Sequence, residues 1–358
     1  MFKFKTSICA SAISVLALAT LATTVQAAQF QNIYQNARVL GMGGAFTAVA
    51  DDYNALTYNP AGLSQIEGWD LDLLTLEAEA SESAVDLVDE LEAAQNGTEA
   101  EAAALLVAHT GDHIRLRANS FPHLVMPGFG VGLLGQATLD ADFRNRVRPV
   151  VQVDAKVDLG LTAAGAKSFN RDKLAIGIGG KYVRREGLVR DYEAADLISD
   201  SFDPVADVGD AETDYAIDLG LLYHLDHLPL SPTIGAAYLN LGDLDFGAFG
   251  SIPAQLNLGV AVRPKIGPIT VTVAADFVDV THQLGNDSDG KKRTNLGAEA
   301  ALWEFLAVRV GLHQSYFSAG ATVNLWVLKV DVATYGEELG AYGGQREDRR
   351  YIARIGLF

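Results

Sequence analysis

The sequence predicts an all-β protein, a membrane-spanning antiparallel β-barrel of about fourteen strands. Three features predict it: an N-terminal export segment, no later apolar run long enough for a spanning helix, and period-two alternation repeated from Trp69 to the C-terminus.

The export segment comes first in the chain. Lys3 and Lys5 precede the apolar stretch Ile8 to Ala22, and Val25, Gln26, Ala27 and Ala28 supply small residues for cleavage after Ala27 or Ala28. Residues 1–27 are therefore expected to be a cleaved signal peptide. A retained spanning helix fits less well, because Ser11, Ser14, Thr20, Thr23 and Thr24 dilute a stretch already short of about 20 apolar residues. Cys9, the chain's one cysteine, starts the apolar region rather than ending it, so it does not read as a lipoprotein cysteine and leaves with the peptide. The mature chain then has no thiol for a disulfide, a zinc site or nucleophilic catalysis. Taking Lys3 and Lys5 from the 27 basic residues leaves 25 against 45 acidic ones, a net charge of −20. Such a chain repels nucleic acid, and no cofactor or metal motif is present.

Downstream of the signal, the longest uninterrupted apolar run is of the order of Ala102 to Ala108, too short to span a bilayer as a helix. A chain inserted in lipid without such helices must close a sheet on itself, since every backbone polar group needs an internal partner. The alternation supplies that sheet. Val151, Val153, Ala155, Val157, Leu159 and Leu161 alternate with Gln152, Asp154, Lys156, Asp158, Gly160 and Thr162. Leu306 to His313 and Leu256 to Arg263 repeat the pattern. In a barrel the apolar set faces lipid and the charges face a wet interior; in a soluble two-sheet protein the faces would be reversed.

Strands are expected near 69–80, 114–126, 129–141, 151–166, 173–187, 213–224, 232–240, 254–264, 268–280, 293–302, 306–313, 317–326, 328–336 and 349–358. The even number suits a single-chain bacterial barrel. Connections after even-numbered strands are mostly short, as at Pro127–Gly128 and Trp303–Phe305, and Trp69, Trp303 and Trp326 at those ends read as one interfacial girdle. Residues 77–114 hold ten acidic and no basic residues and read as an external loop of two helices. Ser83 is the expected cap of the first, and Thr98 with Glu101 forms a capping box for the second, which Gly111 ends.

Interior charges on the alternate face are expected at Asp154, Lys156, Asp158, Lys181, Arg185, Asp218, Arg263, Asp276, Glu299, Arg309, Lys329 and Asp331. Opposite signs on neighbouring strands would pair as a structural network or line a polar solute path. The seven histidines show no pairing with a serine, and no Gly-x-Ser-x-Gly elbow occurs, so nothing points to an enzyme. Asn286 to Gly290 matches a calcium loop only in part and reads as a turn. Between Leu241 and Ile252, Leu244, Phe246, Phe249 and Ile252 form an apolar set that either packs against the barrel rim or its helical neighbour, or stands exposed as a first docking groove for an apolar ligand.

Residues 36–63 fit neither the strand period nor an acidic loop. Ala37-Arg38 precedes Leu40-Gly41-Met42-Gly43-Gly44-Ala45, then come Ala50-Asp51-Asp52 and Asn59-Pro60-Ala61-Gly62-Leu63. A dinucleotide fingerprint would need glycine at Phe46 and a strand before the glycines. The ordered set resembles the N-terminal signature of the FadL superfamily of outer-membrane proteins, which includes long-chain fatty-acid transporters and PorV-like proteins of secretion systems; TraF-like proteins look similar. The resemblance implies a fourteen-stranded barrel in the Gram-negative outer membrane, with residues 28–66 folded into the lumen as a hatch or plug and 67–358 as the barrel. Phe46, Tyr53, Tyr58 and the Asn59-Pro60-Ala61 motif would then lie on the path of a ligand. The implied function is passive uptake of hydrophobic small molecules such as long-chain fatty acids or hydrocarbons. The alternative is a non-transporting scaffold or shuttle for secretion or envelope assembly. Expected partners are outer-membrane lipids and lipopolysaccharide, the barrel-assembly machinery and a hydrophobic ligand. The terminal Phe358 suits an assembly signal, although Tyr351, Ala353, Ile355 and Leu357 run one residue out of phase with it.

Overall fold

The computed structural model describes residues 32–85, 87, 98–197, 207–284, 289–303, 305–325 and 327–357. Fourteen strands follow in chain order: β1 (Asp70–Asp72 and Leu74–Ser81), β2 (His113–Ser120 and His123–Met126), β3 (Phe129–Arg144), β4 (Val150–Phe169), β5 (Leu174–Glu193), β6 (Glu212–His224) and β7 (Thr233–Leu241). The second half comprises β8 (Gln255–Val262, extended by Lys265–Ile266), β9 (Ile269–Phe277), β10 (Thr294–Leu302), β11 (Leu306–His313), β12 (Tyr316–Leu325), β13 (Leu328–Glu338) and β14 (Glu347–Leu357). Each pairs antiparallel with the next. β14 returns to β1 from Arg350↔Ser81 to Leu357↔Leu74, so the sheet closes without a free edge. No helix among the described residues is long and apolar enough to cross a membrane.

The side chains face as the alternation requires of a barrel. On β4, Val157 and Leu159 are 41% and 49% exposed while Asp158 between them is 1% exposed. On β11, Val308 and Val310 point out and Arg309 is buried inside. Trp69 and Trp303 stand exposed at the short-turn end; Trp326 and Phe358 lie outside the described residues, as do residues 1–27, expected to be a signal peptide, and most of the expected 286–290 turn.

Two departures enlarge the external side. β4 and β5 are 20 residues each, several residues longer than the alternation suggested and roughly twice what a tilted strand needs to cross a bilayer. Their surplus rises above the apolar belt. The acidic loop does not stand free there but leans on the outer wall. Helix α3 (Glu99–Ala108, numbered after two short helices of the N-terminal segment, below) carries the expected Thr98–Glu101 capping box. Upstream, Ser81 rather than Ser83 caps the first helix, its Oγ accepting from Ala84 N. Ala84, Leu87, Ala102 and Leu106 pack on Ile114, Ala141, Phe143, Val151, Leu188 and Tyr192, all outward-facing residues of the strand extensions. Val151 is therefore covered by protein instead of facing lipid, and Val153 is partly buried beside it, which corrects the expectation for the upper third of β4.

Candidate functional site

The barrel interior is filled by the segment before β1. Asn36 caps helix α1 (Ala37–Gly41) by accepting from Arg38 N, and Asn59 caps the 3-10 turn Pro60–Gln65 that follows α2 (Ala55–Tyr58). Almost every residue from Ile33 to Leu63 is buried. None adds a strand to the wall.

The N-terminal signature acquires a physical role from this packing. Its backbone lies so close to the wall that the facing wall residues must lack a Cβ. A Cβ on Gly297 of β10 would sit 2.2 Å from Met42 O, and one on Gly311 of β11 would sit 2.6 Å from Gly43 N. A Cβ on Gly177 of β5 would meet Ala61 N at 2.3 Å, and one on Gly220 of β6 would meet Asn59 Oδ1 at 2.2 Å. Gly235 of β7, Gly259 of β8 and Gly320 of β12 make the same allowance for Thr47, Ala48 and Gly41. Asn59 also ties the motif down, donating from Nδ2 to Thr47 O at 2.8 Å and to Leu221 O at 3.3 Å.

Arg38 is the electrostatic centre of the segment. Its guanidinium donates to both oxygens of Glu299 on β10 at 3.0 and 2.8 Å, and to Asp51 and Asp52 at 2.7 Å each. Arg309 bonds Glu299 from the next strand at 2.5 Å, and Arg263 holds Asp51 at 3.5 Å while donating to Val49 O. The conjunction of Arg38 with Asp51-Asp52 in the signature is thus a clasp between two parts of the segment and the wall.

The expected interior charges pair largely as the alternation implied. Lys156 meets Asp154 at 2.7 Å, Arg185 meets Asp158 at 2.6 Å, Lys181 meets Asp218 at 3.0 Å, and Asp331 meets Arg354 at 3.2 Å. Lys329 sits half-buried on the same face as Asp331. Asp276 departs from the pattern: it accepts from Phe46 N and Thr47 N, both at 2.7 Å, so a backbone turn of the inner segment replaces a cationic partner. Missing from the sequence reading are Glu77, Glu79, Arg115, Arg117, Arg350 and Arg354 on β1, β2 and β14. Arg117 and Glu79 meet at 2.5 Å, and Tyr335 donates to Glu79 at 3.0 Å. Their phase was readable from the outward Tyr351, Ala353 and Ile355.

The apolar candidates come together, but not on the surface. Leu244, Phe246, Phe249 and Ile252 are buried, so the 242–254 loop is not an exposed docking groove. It folds inward as a cap. Arg185 lies over the Phe246 ring at 4.4 Å and donates to Phe249 O. These four side chains form one contiguous cluster with Phe46, Tyr53 and Tyr58 of the inner segment and Phe121 and Val183 of the wall. Phe46 and Tyr58 meet edge to face at 5.9 Å, and Tyr53 stacks on His123 at 4.0 Å. Beside this column a polar cavity of about 40 Å³, bordered by Gln136, Asp158, Arg185, Ile252 and Arg350, is far below the roughly 300 Å³ at which ligand pockets begin.

No family model and no curated protein sequence matches the chain. Solved structures do. It is similar to a FadL homologue of Pseudomonas aeruginosa, with 13% identity and a TM-score of 0.52 over 92% of this chain and 98% of that one. It is also similar to TodX, described as the toluene transporter of Pseudomonas putida, with 13% identity and a TM-score of 0.51 over 89% and 95% of the two chains. By fold, the chain is a FadL-like closed antiparallel β-barrel of fourteen strands.

Proposed function

We infer that this protein is an outer-membrane channel for the passive uptake of hydrophobic small molecules, closed in this conformation by the inner segment acting as a hatch and by the 242–254 cap. The observation that carries this reading is the apolar column within the barrel. A wet barrel lumen is ordinarily polar, yet here Phe246 and Phe249 of the cap share one buried apolar cluster with Phe46, Tyr53 and Tyr58 of the hatch. Such a column suits an apolar solute once its two closures part. The outward apolar face and the export segment at residues 1–27 support insertion in the outer membrane, with lipopolysaccharide and the barrel-assembly machinery as partners. Long-chain fatty acids and aromatic hydrocarbons are the substrate classes to compare.

A scaffold that moves no solute is the second reading, favoured by the glycine-lined fit that a moving hatch must leave. Uptake of radiolabelled palmitate and toluene into proteoliposomes separates the two. Saturable uptake above that of empty vesicles supports the channel. Uptake equal to empty vesicles, with the protein correctly inserted and the cap opened by Phe246→Ala, would sink it and favour the scaffold.

A further inference from the structure

The external helices that lean on the wall create a second feature, outside the barrel. Directly below their seam, a groove of about 1160 Å³ opens sideways on the outer face. Its floor is a cross-strand row of alanines: Ala353 of β14 pairs with Ala78 of β1, which pairs with Ala118 of β2, which pairs with Ala137 of β3. On the far wall outward alanines alternate with larger residues within a row, as in Val273, Ala298, Val310 and Ala319 of four successive strands, so no such unbroken floor forms there. The row one step above contains Ala80 and Ala155, which border the groove and also pack against the helical roof. Of the charged residues on its boundary, Glu79, Arg117 and Lys156 point into the lumen and pair there, Glu79 with Arg117 and Lys156 with Asp154, and Glu186 faces outward at one end. Apolar wall therefore continues from the exposed belt at Leu76, Leu133 and Val157 to the underside of the roof.

We propose that this roofed groove is a binding site for an acyl chain of a bilayer lipid, seated on the outer wall of β14 and β1 to β4 and separate from the luminal path. The small side chains leave a channel deep enough to take a chain out of the mobile lipid layer. The helices packed on Ala80 and Ala155 close the groove's upper edge against water, and contact with the apolar wall drives the association. At the upper end, outward-facing Arg184 and Glu186 lie 3.1 Å apart with more than a third of each side chain exposed, a charged edge at the height of a headgroup. The proposal rests on membrane insertion and not on what crosses the barrel.

The test uses the mature protein in vesicles of phosphatidylethanolamine and phosphatidylglycerol, doped with phosphatidylethanolamine carrying a diazirine in one acyl chain. After irradiation, adducts are mapped by mass spectrometry. The comparison face is the plain outer wall of β8 to β11 around Val260, Val273 and Val310, which has its own shallower groove of about 540 Å³ and no roof. Labelling at 116–118 and 137–139 is expected to exceed that face about tenfold, the ratio produced by about 1.4 kcal/mol of preference. Ala118→Phe with Ala137→Phe should abolish the excess and leave the comparison face unchanged. Ala118→Leu with Ala137→Leu serves the same purpose if the aromatic pair prevents insertion. Equal labelling of both faces, or an excess that survives groove filling, overturns the site while leaving insertion intact. Absence of labelling on both faces overturns insertion, and the site with it.

Discussion

Replacing Arg38 by alanine should loosen the hatch while leaving the barrel standing. Arg38 makes four charge-assisted hydrogen bonds, two to Glu299 and one each to Asp51 and Asp52, and its side chain is 14% exposed. Removing one partner of a buried ion pair costs about 3–5 kcal/mol when the other is stranded. Here no carboxylate is wholly stranded. Glu299 keeps Arg309, Asp51 keeps Arg263 at 3.5 Å, and Asp52 keeps the Asn54 N–H at 2.9 Å. The loss should therefore fall below that range, at about 2–3 kcal/mol, which multiplies the population of a detached hatch by roughly 30 to 150. Because the fourteen ladders contain none of residues 36–63, that cost belongs to local opening rather than to unfolding of the wall. Hydrogen exchange in the folded, detergent-solubilised protein reads it directly: amides at 40–58 should lose about one and a half to two orders of magnitude of protection, the fold-change just derived. Amides of β10 and β11 should keep theirs. Unchanged protection at 40–58, or an equal loss in hatch and wall, would refute the clasp.

Deletion of residues 29–62 should leave a heat-modifiable, inserted barrel with raised permeability to a bulky antibiotic, and loss of insertion despite normal export would count against an independent hatch. Gly177→Val, with a side chain forced against the Ala61 backbone, should cost about 1–3 kcal/mol, measured as a lower refolding midpoint, and deletion of the hatch should relieve it. On the outer wall, Ile178→Lys or Val308→Lys should cost about 2–4 kcal/mol near the bilayer midplane, with lumen-facing positions tolerating charge; equal sensitivities at Ile178 and Gly179 in refolding titrations would reverse the face assignment. In the external helix, backbone and hydroxyl hydrogen bonds from Thr98 hold the Glu101 carboxylate below its ordinary range. A lowered folded pKa means the cap stabilises α3 above the unfolded value of about 4.3 and is lost as pH falls through the folded one, so pH-corrected exchange of amides 102–108 should rise on acidification, and Glu101→Gln should remove most of that dependence.

Strand number, order and facing were legible in the sequence because a barrel wall imposes one rule on every residue. Neighbouring side chains must alternate between an apolar exterior and a polar interior, and the hydrogen bonds that close the sheet care little for side-chain identity. Asp158, Arg309 and Asp331 follow from that rule, as do Leu159 and Val308. The capping box at Thr98 was equally local. Three outcomes were decided only by the tertiary structure. The 242–254 loop reads as apolar whether it is exposed or folded inward, and the lumen available to Phe246 and Phe249 determined which. Val151 and Ile114 carry the outward signature of the belt, yet the helices of the acidic loop cover them, because β4 and β5 outrun the apolar layer. Asp276 looks like one more wall charge, but its partners are two peptide N–H groups supplied from residues 46 and 47. Alternation is set by a residue's own strand, whereas what lies against each face is set by other segments, as far off as the 230 residues between Asp276 and Phe46, and that information resides in the closed fold.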